Sequence, residues 1–464
     1  MPGRLEFDLS LSAQPAAGIP NRGAAGGVRR LLLMGDFSGL PAAQRVPLAT
    51  RPTWRVDMDN LDARLGALRA GVQLGTARLA FHTLDDFHPD SLLDRLPGPA
   101  AWPAGDGAAA PQSPQAGPAS ADAPVRPATD DAGQAELLAR LLGGGGAGAA
   151  ASAAAPAPAG LDAFLRQLVA PHVVRDDPAA RAAAEATDNA AARRLRALLH
   201  APGFQALEAN WRGLHWLVSQ LELDEQLQLH LFDVQREELL DDLVAAGGQV
   251  AQTGLFQALV QRGRDQPGNP GWSALVGLWA FGPSVQHIGL LAALGLLAAQ
   301  AGAPLVAGAD LALGGDDVQA LAGWQALRRS DVAPWIGLAA PGVLLRQPYG
   351  PRSDPVQALD FEEFGGGAPD VARCLWGPAA LVPALLLARG EAGAAADVAG
   401  LPAVTWRQDG ESQLLPVAWP ALDEAAAQRL QQAGLMPLWA HRQQALLRLA
   451  CWQSVALDGR PLAA

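Results

Sequence analysis

The chain has 464 residues, 50% of them hydrophobic and 17% charged, with a formal net charge of −12 near neutrality. That length accommodates two or three domains and a sizeable core, and a charged fraction below the ~25% of an ordinary soluble domain points to large surfaces covered by other chains. All 34 basic residues are arginine, and the acidic balance excludes the basic footprint that binding to nucleic acid requires.

Residues 1–29 read as an arm. Leu5, Phe7, Leu9 and Leu11 alternate with Glu6, Asp8, Ser10 and Ser12, which predicts a strand with one apolar and one polar face. A Gly/Pro/Asn-rich stretch follows, so this strand can pair with its own domain or with a neighbour by strand addition. Met1 to Ser10 lacks a basic region followed by an apolar run. No signal peptide is expected, and a cytoplasmic protein is.

Residues 30–96 read as a small α/β unit. The apolar run from Val28 to Met34 predicts a buried strand, closed by the turn Gly35-Asp36-Phe37-Ser38-Gly39. Asp59 and Asn60 are candidate caps for a helix with Leu61, Leu65 and Leu68 on its apolar positions. Ala77 to Phe81 predicts a second strand, and Pro89 suits a helix start.

Residues 97–158 are dominated by Ala, Pro and Gly. Such a composition cannot bury enough side chain to fold, so a disordered linker is expected. Within it, QAELLARLL sets Leu137, Leu138, Leu141 and Leu142 on one helical face. That segment is either a docking helix for a partner or a transient helix without one.

Residues 159–464 form the main body. Ala179 to His200 predicts a helix, broken at Pro202-Gly203. A second helix begins near Phe204, with Phe204, Leu207, Trp211, Leu214 and Val218 at helical spacing as core. Arg193, Arg194 and Arg196 read as a solvated helix face. Leu227 to Val234 alternates as a strand. Leu275 to Trp279, Pro304 to Ala307, Trp335 to Leu338 and Leu401 to Trp406 are further strand candidates between helices. Leu290 to Val306 is apolar but interrupted by Gln300 and Pro304. It falls short of the ~20 residues of a membrane span and predicts a buried helix running into a strand. The fold expected is α/β throughout, the small unit joined by its linker to the larger one.

Two regions resemble known families. Residues 5–96 resemble the small sheath subunit of bacterial type VI secretion (TssB, also called VipA), through LEFDLSLS, RRLLLMGDFSG, VDMDNLDARL and FHTLDDFHPDSLL. Residues 161–455 resemble the large sheath subunit (TssC, also called VipB). The matching pieces are LDAFLRQLVAP, LLHAPGFQALEANWRGLHWLV, LFDVQREELLDDL, LLRQPYGPRSDPVQALDFEEF, LWGPAAL, AGLMPLW and WQSV. The blocks around Trp211-Arg212-Gly213-Leu214 and from Arg346 to Phe364 are the most specific.

The resemblance implies a heterodimer that polymerises into a contractile tube around an inner tube, with protomers stitched by shared β-sheets and the contracted sheath recycled by an ATP-driven unfoldase. The implied partners are sheath subunits or baseplate components, then the inner-tube protein or the unfoldase. The sequence departs from the family pattern after Leu96, in the fusion of the two regions, and after Val455, where a long family segment is expected and the sequence stops at Ala464. A chain that donates the strand Leu5 to Ser12 but lacks receiving strands is expected to act as adaptor, cap or initiator at a sheath end. The alternatives are a regulator that sequesters free subunits and an ordinary sheath subunit.

No catalytic constellation is expected. Gly35 to Gly39 lacks the GxSxG spacing of a nucleophile elbow, and Gly143 to Gly146 is not followed by GK[ST]. His82 and His88, near Asp85, Asp86 and Asp90, lack zinc-like spacing. Asp360, Glu362 and Glu363 could form an acid–base pair, but they lie in a block with a structural counterpart in the family. Tyr349, in the turn Pro348-Tyr349-Gly350-Pro351, reads as packing. Cys374 and Cys451 form neither a CxxC nor a Cys/His cluster and read as small buried hydrophobes. No cofactor or metal is expected.

Overall fold

The computed structural model describes residues 27–96 and 178–463, apart from 265–269, 316–317, 366–367 and 409–410. Residues 1–107 and 188–464 form one compact unit and 108–187 a second. Apart from the start of one helix, the described residues belong to the first. The expected strand at Leu5 to Leu11, the helix at Leu137 to Leu142 and the LDAFLRQLVAP block lie outside the described residues.

Apolar runs with no polar alternation specify strands buried on both faces. Five such runs and the alternating β5 build a parallel sheet centre: β5 (Leu227–Asp233), β1 (Arg29–Gly35), β6 (Ala274–Phe281), β7 (Leu305–Ala309), β8 (Ile336–Ala340) and β15 (Met436–Ala440). Antiparallel strands close both sides. β2 (Trp54–Val56) pairs with β5, and β16 (Leu447–Leu449) joins β15 to β11 (Ala396–Val398). The order across this nine-stranded sheet is β11-β16-β15-β8-β7-β6-β1-β5-β2, and β9 (Gly342–Leu344), β10 (Trp376–Gly377) and β14 (Ala418–Trp419) form a separate three-stranded sheet.

The position of β1 decides the architecture. The chain leaves β5, passes through the helix Arg236–Ala245, and returns as β6 one strand position too far over. β1 fills that place, with Leu31 opposite both Leu229 and Ala274. Residues 29–35 and 227–281 thus share one sheet. Leu31, Leu32, Leu33 and Met34 are at most 1% exposed. Burying four such side chains contributes roughly 6–12 kcal/mol before entropy, which is comparable with the whole stability of a typical domain.

Alternation along β1 sends side chains into two layers. Leu31 and Leu33 join Leu229, Leu231 and Val276 beneath the helices Pro202–Ser219 and Leu381–Arg389. Leu32 and Met34 join Phe232, Leu275 and Leu305 beneath the helices Arg236–Ala245, Val285–Ala301 and Val318–Arg328. The apolar run from Leu290 divides as expected: its helix ends at Gly302, in the left-handed region at φ 67°, and β7 follows. Among the described residues no helix is long and apolar enough to cross a membrane.

Numbered in chain order, the helices used below are α1 (Leu61–Ala67), α2 (Pro89–Leu93), α3 (Pro178–Leu199), α4 (Pro202–Ser219), α5 (Arg236–Ala245), α6 (Val285–Ala301), α7 (Val318–Arg328), α8 (Leu381–Arg389) and α9 (Glu424–Gln432). The rest of the N-terminal segment, α1, the hairpin β3 (Gly71–Leu74) with β4 (Ala77–Ala80), and α2, packs on the α4 side. Phe81 stacks on Phe87 at 4.3 Å, and Phe204 of α4 meets both edge-on at 5.9 and 5.8 Å.

Three expectations are corrected. Asn60 stands at the N-cap of α1, but its side chain bonds Asp57 N and caps no helix N–H. The reciprocal Asp57–Asn60 turn takes the oxygen instead. Leu401 to Trp406 is no strand of the main sheet. Only Thr405–Gln408 is extended, as β12, and it pairs with β13 (Glu411–Leu414) in an isolated hairpin. Cys374 is buried, but Cys451 is only partly so.

Leu33→Ala is expected to lower stability by about 2–5 kcal/mol, the usual cost of a core truncation. Val244→Ala, at a side chain 48% exposed, should stay within about 0.5 kcal/mol. Urea unfolding followed by circular dichroism checks both values.

Candidate functional site

The chemistry-bearing side chains concentrate along one seam, where residues 35–96 meet α4, the end of β5 and the loop from Arg346 to Phe364. The five core residues singled out in α4 are all buried, with Phe204 0%, Leu207 3%, Trp211 0%, Leu214 0% and Val218 4% exposed. Trp211 Nε1 donates to Phe37 O at 2.8 Å, and its ring meets Phe37 edge-on at 5.4 Å. Asn210 Nδ2 donates to Asp36 O at 2.9 Å. The glycine after Trp211-Arg212 has a steric cause. A Cβ at Gly213 would stand 2.6 Å from Leu381 Cδ1, so α4 and α8 could not approach as they do.

The turn after β1 is pinned by charge. Asp233 Oδ1, at the end of β5, accepts from Phe37 N at 2.8 Å and Ser38 N at 3.0 Å. Arg45 bridges Asp36 at 2.5 Å and Asp233 at 3.0 Å. Burial pushes the Asp233 carboxyl up from its ordinary value, against the pull of Arg45 and the Ser38 hydrogen bond. Arg51 pairs with Glu238 and donates to Asp233 O at 2.7 Å. Gly39 lies at φ +61°, where a Cβ would collide with Gly71 O, so this turn requires glycine.

A buried ionic cluster lies on the same stretch of α4, around Glu208 and Arg212. Arg346 is 6% exposed. It grips Glu363 with two nitrogens, at 2.7 and 3.1 Å, and Glu208 with Nε at 2.9 Å. Glu208 also accepts from Arg212 Nε at 2.7 Å, and Arg212 reaches Tyr349 Oη at 2.9 Å. Glu363 further accepts from Tyr349 N at 3.0 Å and contacts His200 Nε2 at 3.2 Å. The Arg346 guanidinium lies over the Tyr349 ring at 4.3 Å.

Burial alone would raise the Glu363 carboxyl, but Arg346 and the bonds from His200, Arg346 and Tyr349 N hold it down to about 2. Burial and the nearby Glu208 charge push the Tyr349 hydroxyl up to about 12. Burial disfavours the Arg346 charge, yet Glu208 and Glu363 raise its pKa well above the ordinary value. Near neutral pH, Glu363 therefore stays an anion and Tyr349 stays neutral. Neither is poised for proton transfer, which works best with a pKa close to the working pH. What this arrangement can do is hold geometry. Cutting one partner from such a cluster strands a buried charge.

His88 and Asp90 fasten α2 to the same loop. Asp90 accepts from Gln357 N and Ala358 N, both at 2.9 Å through Oδ1. His88 lies 3.5 Å from both Asp90 and Asp354. Among the described residues no three His, Cys, Asp or Glu side chains form a metal-binding group. Burial raises the thiols of Cys374 to about 12 and Cys451 to about 11, which keeps them protonated. Leu5, Phe7, Leu9 and Leu11, and Leu137, Leu138, Leu141 and Leu142, lie outside the described residues.

Sequence reasoning missed Glu208, Arg346, Arg45, Asp233 and Arg51 as a working set. One signal was available. Glu208 occupies an apolar position of α4, between Phe204 and Trp211, and a carboxylate there demands a buried cation.

The family described as VipB: EvpB/VC_A0108, tail sheath N-terminal domain, matches residues 182–456. The type VI secretion system sheath protein TssC1 of Pseudomonas aeruginosa is 31% identical over 273 residues, covering 52% of this chain and 54% of that protein. The chain thus spans about half the length of the curated relative it matches. Residues 27–96 lie outside the family match.

Arg346→Met is expected to lower stability by about 3–5 kcal/mol near neutral pH, since Glu363 is left buried without its guanidinium and Glu208 keeps only Arg212. The pH dependence has a definite sign. Glu363 is held at about 2 against an ordinary 4.5, so its stabilisation is complete above about 4.5 and fades as pH falls toward 2. Glu363→Gln should be less stable near neutrality and lose less over that window. Urea midpoints for both proteins across the window read the difference.

Proposed function

We propose, since the chain belongs to the EvpB/VC_A0108 tail sheath N-terminal domain family, that it is a structural protein of a type VI secretion contractile apparatus, working in the cytoplasm and not as an enzyme. The observation that carries this reading furthest is β1. Residues 27–96, which resemble the small sheath subunit, supply the strand between β5 and β6 of the part that matches the large-subunit family. One chain then does the work of a pre-joined pair of sheath subunits.

Within the apparatus, the protein acts as adaptor, cap or initiator at a sheath end. Its partners are sheath subunits or baseplate components. The sheet edges support this. Among the described residues both are antiparallel strands of three residues, β2 and β11. Short edges are poor templates for further strand addition. On β2, Arg64 Nε donates to Arg55 O at 3.0 Å and the guanidinium lies over Trp54 at 5.3 Å, so its own chain already covers part of that edge. The proposed donor is the segment Leu5 to Ser12, outside the described residues, whose alternating Leu5, Phe7, Leu9 and Leu11 suit strand addition to a neighbour.

Electron microscopy of the full chain mixed with the cognate sheath subunits tests the role. Density confined to one end of each sheath is expected. Tubes formed by this protein alone, incorporation along the whole sheath, or binding to free subunits only would each overturn it. Phe7→Pro combined with Leu9→Pro should weaken sheath binding at least about tenfold, a loss of about 1.4 kcal/mol, with the unfolding transition unchanged.

A further inference from the structure

A second site lies far along the sheet from the seam. Between the glutamine-rich face of α9 and the loop 453–459 there is an open cleft of about 460 Å3, within the ~300–1,000 Å3 range of ligand clefts. Arg328, the last residue of α7, lines it. The residue is 6% exposed. Its Nε donates to Val455 O at 3.0 Å. Among the described residues no carboxylate lies within ion-pairing distance of its guanidinium.

The charges around Arg328 do not compensate it. Burial lowers the Arg328 pKa from its ordinary value, and the like charge of Arg329 lowers it further. Asp458, at the cleft rim, is engaged by Arg460 at 2.6 Å. Asp331 acts on Arg460 as well. A buried cation whose partner is a neutral carbonyl is costly. It is the half of an ion pair that an incoming carboxylate completes through two parallel hydrogen bonds.

The rest of the lining says what carries that carboxylate. Gln428, Gln431 and Gln432 present exposed amides at i, i+3 and i+4 on one face of α9. Each amide both donates and accepts, as a peptide backbone does. Gln453, 8% exposed, is fixed as a wall by bonds from Nε2 to Gln431 O at 2.9 Å and Leu435 O at 2.8 Å. Leu457, 49% exposed, stands at the lip and offers apolar contact. A free phosphate accepts from the amide N–H groups but leaves their carbonyls and Leu457 unused, and the Asp458 carboxylate at the rim disfavours a dianion.

We infer that this cleft binds an acidic, extended polypeptide segment of a partner protein, with Arg328 pairing its Asp or Glu carboxylate and the α9 glutamines holding its backbone. The inference stands on Arg328 and the cleft, independently of the role proposed at a sheath end.

The test uses the full chain and short capped peptides carrying one central Glu or Asp, each paired with its Gln or Asn counterpart and read by fluorescence anisotropy. Acidic members are expected to bind, and their neutral counterparts to bind at least about tenfold more weakly. Arg328→Gln should abolish the difference, and Arg329→Gln should keep it. Gln428→Glu with Gln432→Glu, both on the exposed face, should weaken acidic peptides by a similar factor, which keeps the test valid if Arg328→Gln fails to fold. Failure of every acidic peptide to bind, equal binding of the neutral set, or displacement by inorganic phosphate at the peptide's own concentration would overturn the assignment.

Discussion

A parallel sheet cannot leave a strand position empty. The connection from β5 to β6 crosses over one place, and the two strands then stand two spacings apart, about 9.6 Å. Without an insert, both would present unpaired N–H and C=O groups inside a hydrophobic slab, each costing about as much as a lost hydrogen bond. β1 satisfies them from both sides, along Arg29 to Gly35 toward β5 and Leu31 to Met34 toward β6. Everything else in the N-terminal segment follows from that placement. Once β1 is in the sheet, its turn lands on Asp233, and α1, β3, β4 and α2 come to rest beside α4.

The charged groups of the seam do a different job from the apolar ones. Leucines at the β1 face supply most of the burial but tolerate sliding, because their contacts are non-directional. Arg45 on Asp36 and Asp233, Arg51 on Glu238, and Arg346 on Glu208 and Glu363 are directional, and each joins stretches distant in the sequence. Their net worth in stability is small when set against well-packed apolar substitutes. Their effect is to fix where the turn 35–40 and the loop 346–364 sit against α4. The two sequence blocks that are most specific to the sheath families, around Trp211 and from Arg346 to Phe364, are therefore two sides of one contact.

Much of the secondary structure was legible because it is local. The run ending at Met34, the stripe from Phe204 to Val218 and the apolar stretch from Leu290 each carry their own period. Sheet order was not legible. Leu31 and Leu229 are partners across nearly two hundred residues, and no periodicity in either encodes the other. The ionic cluster was half legible: Glu208 breaks the apolar face of α4, but nothing local names Arg346 as its partner. At α1 the sequence offered two oxygen-bearing caps, and the Asp57–Asn60 turn won because it satisfies both residues at once. Thr405 to Gln408 has strand-forming residues but no apolar run long enough to enter the slab.

β1 is an integral strand of the sheet and not a docked appendage. Native-state hydrogen exchange on the full chain tests this most directly. The amides of Leu31 to Met34 should exchange only through the same global opening as those of Leu229 to Leu231 and Val276, with matching free energies across a denaturant series. Exchange of the β1 amides through a low-energy local opening, while β5 and β6 keep full protection, would contradict it.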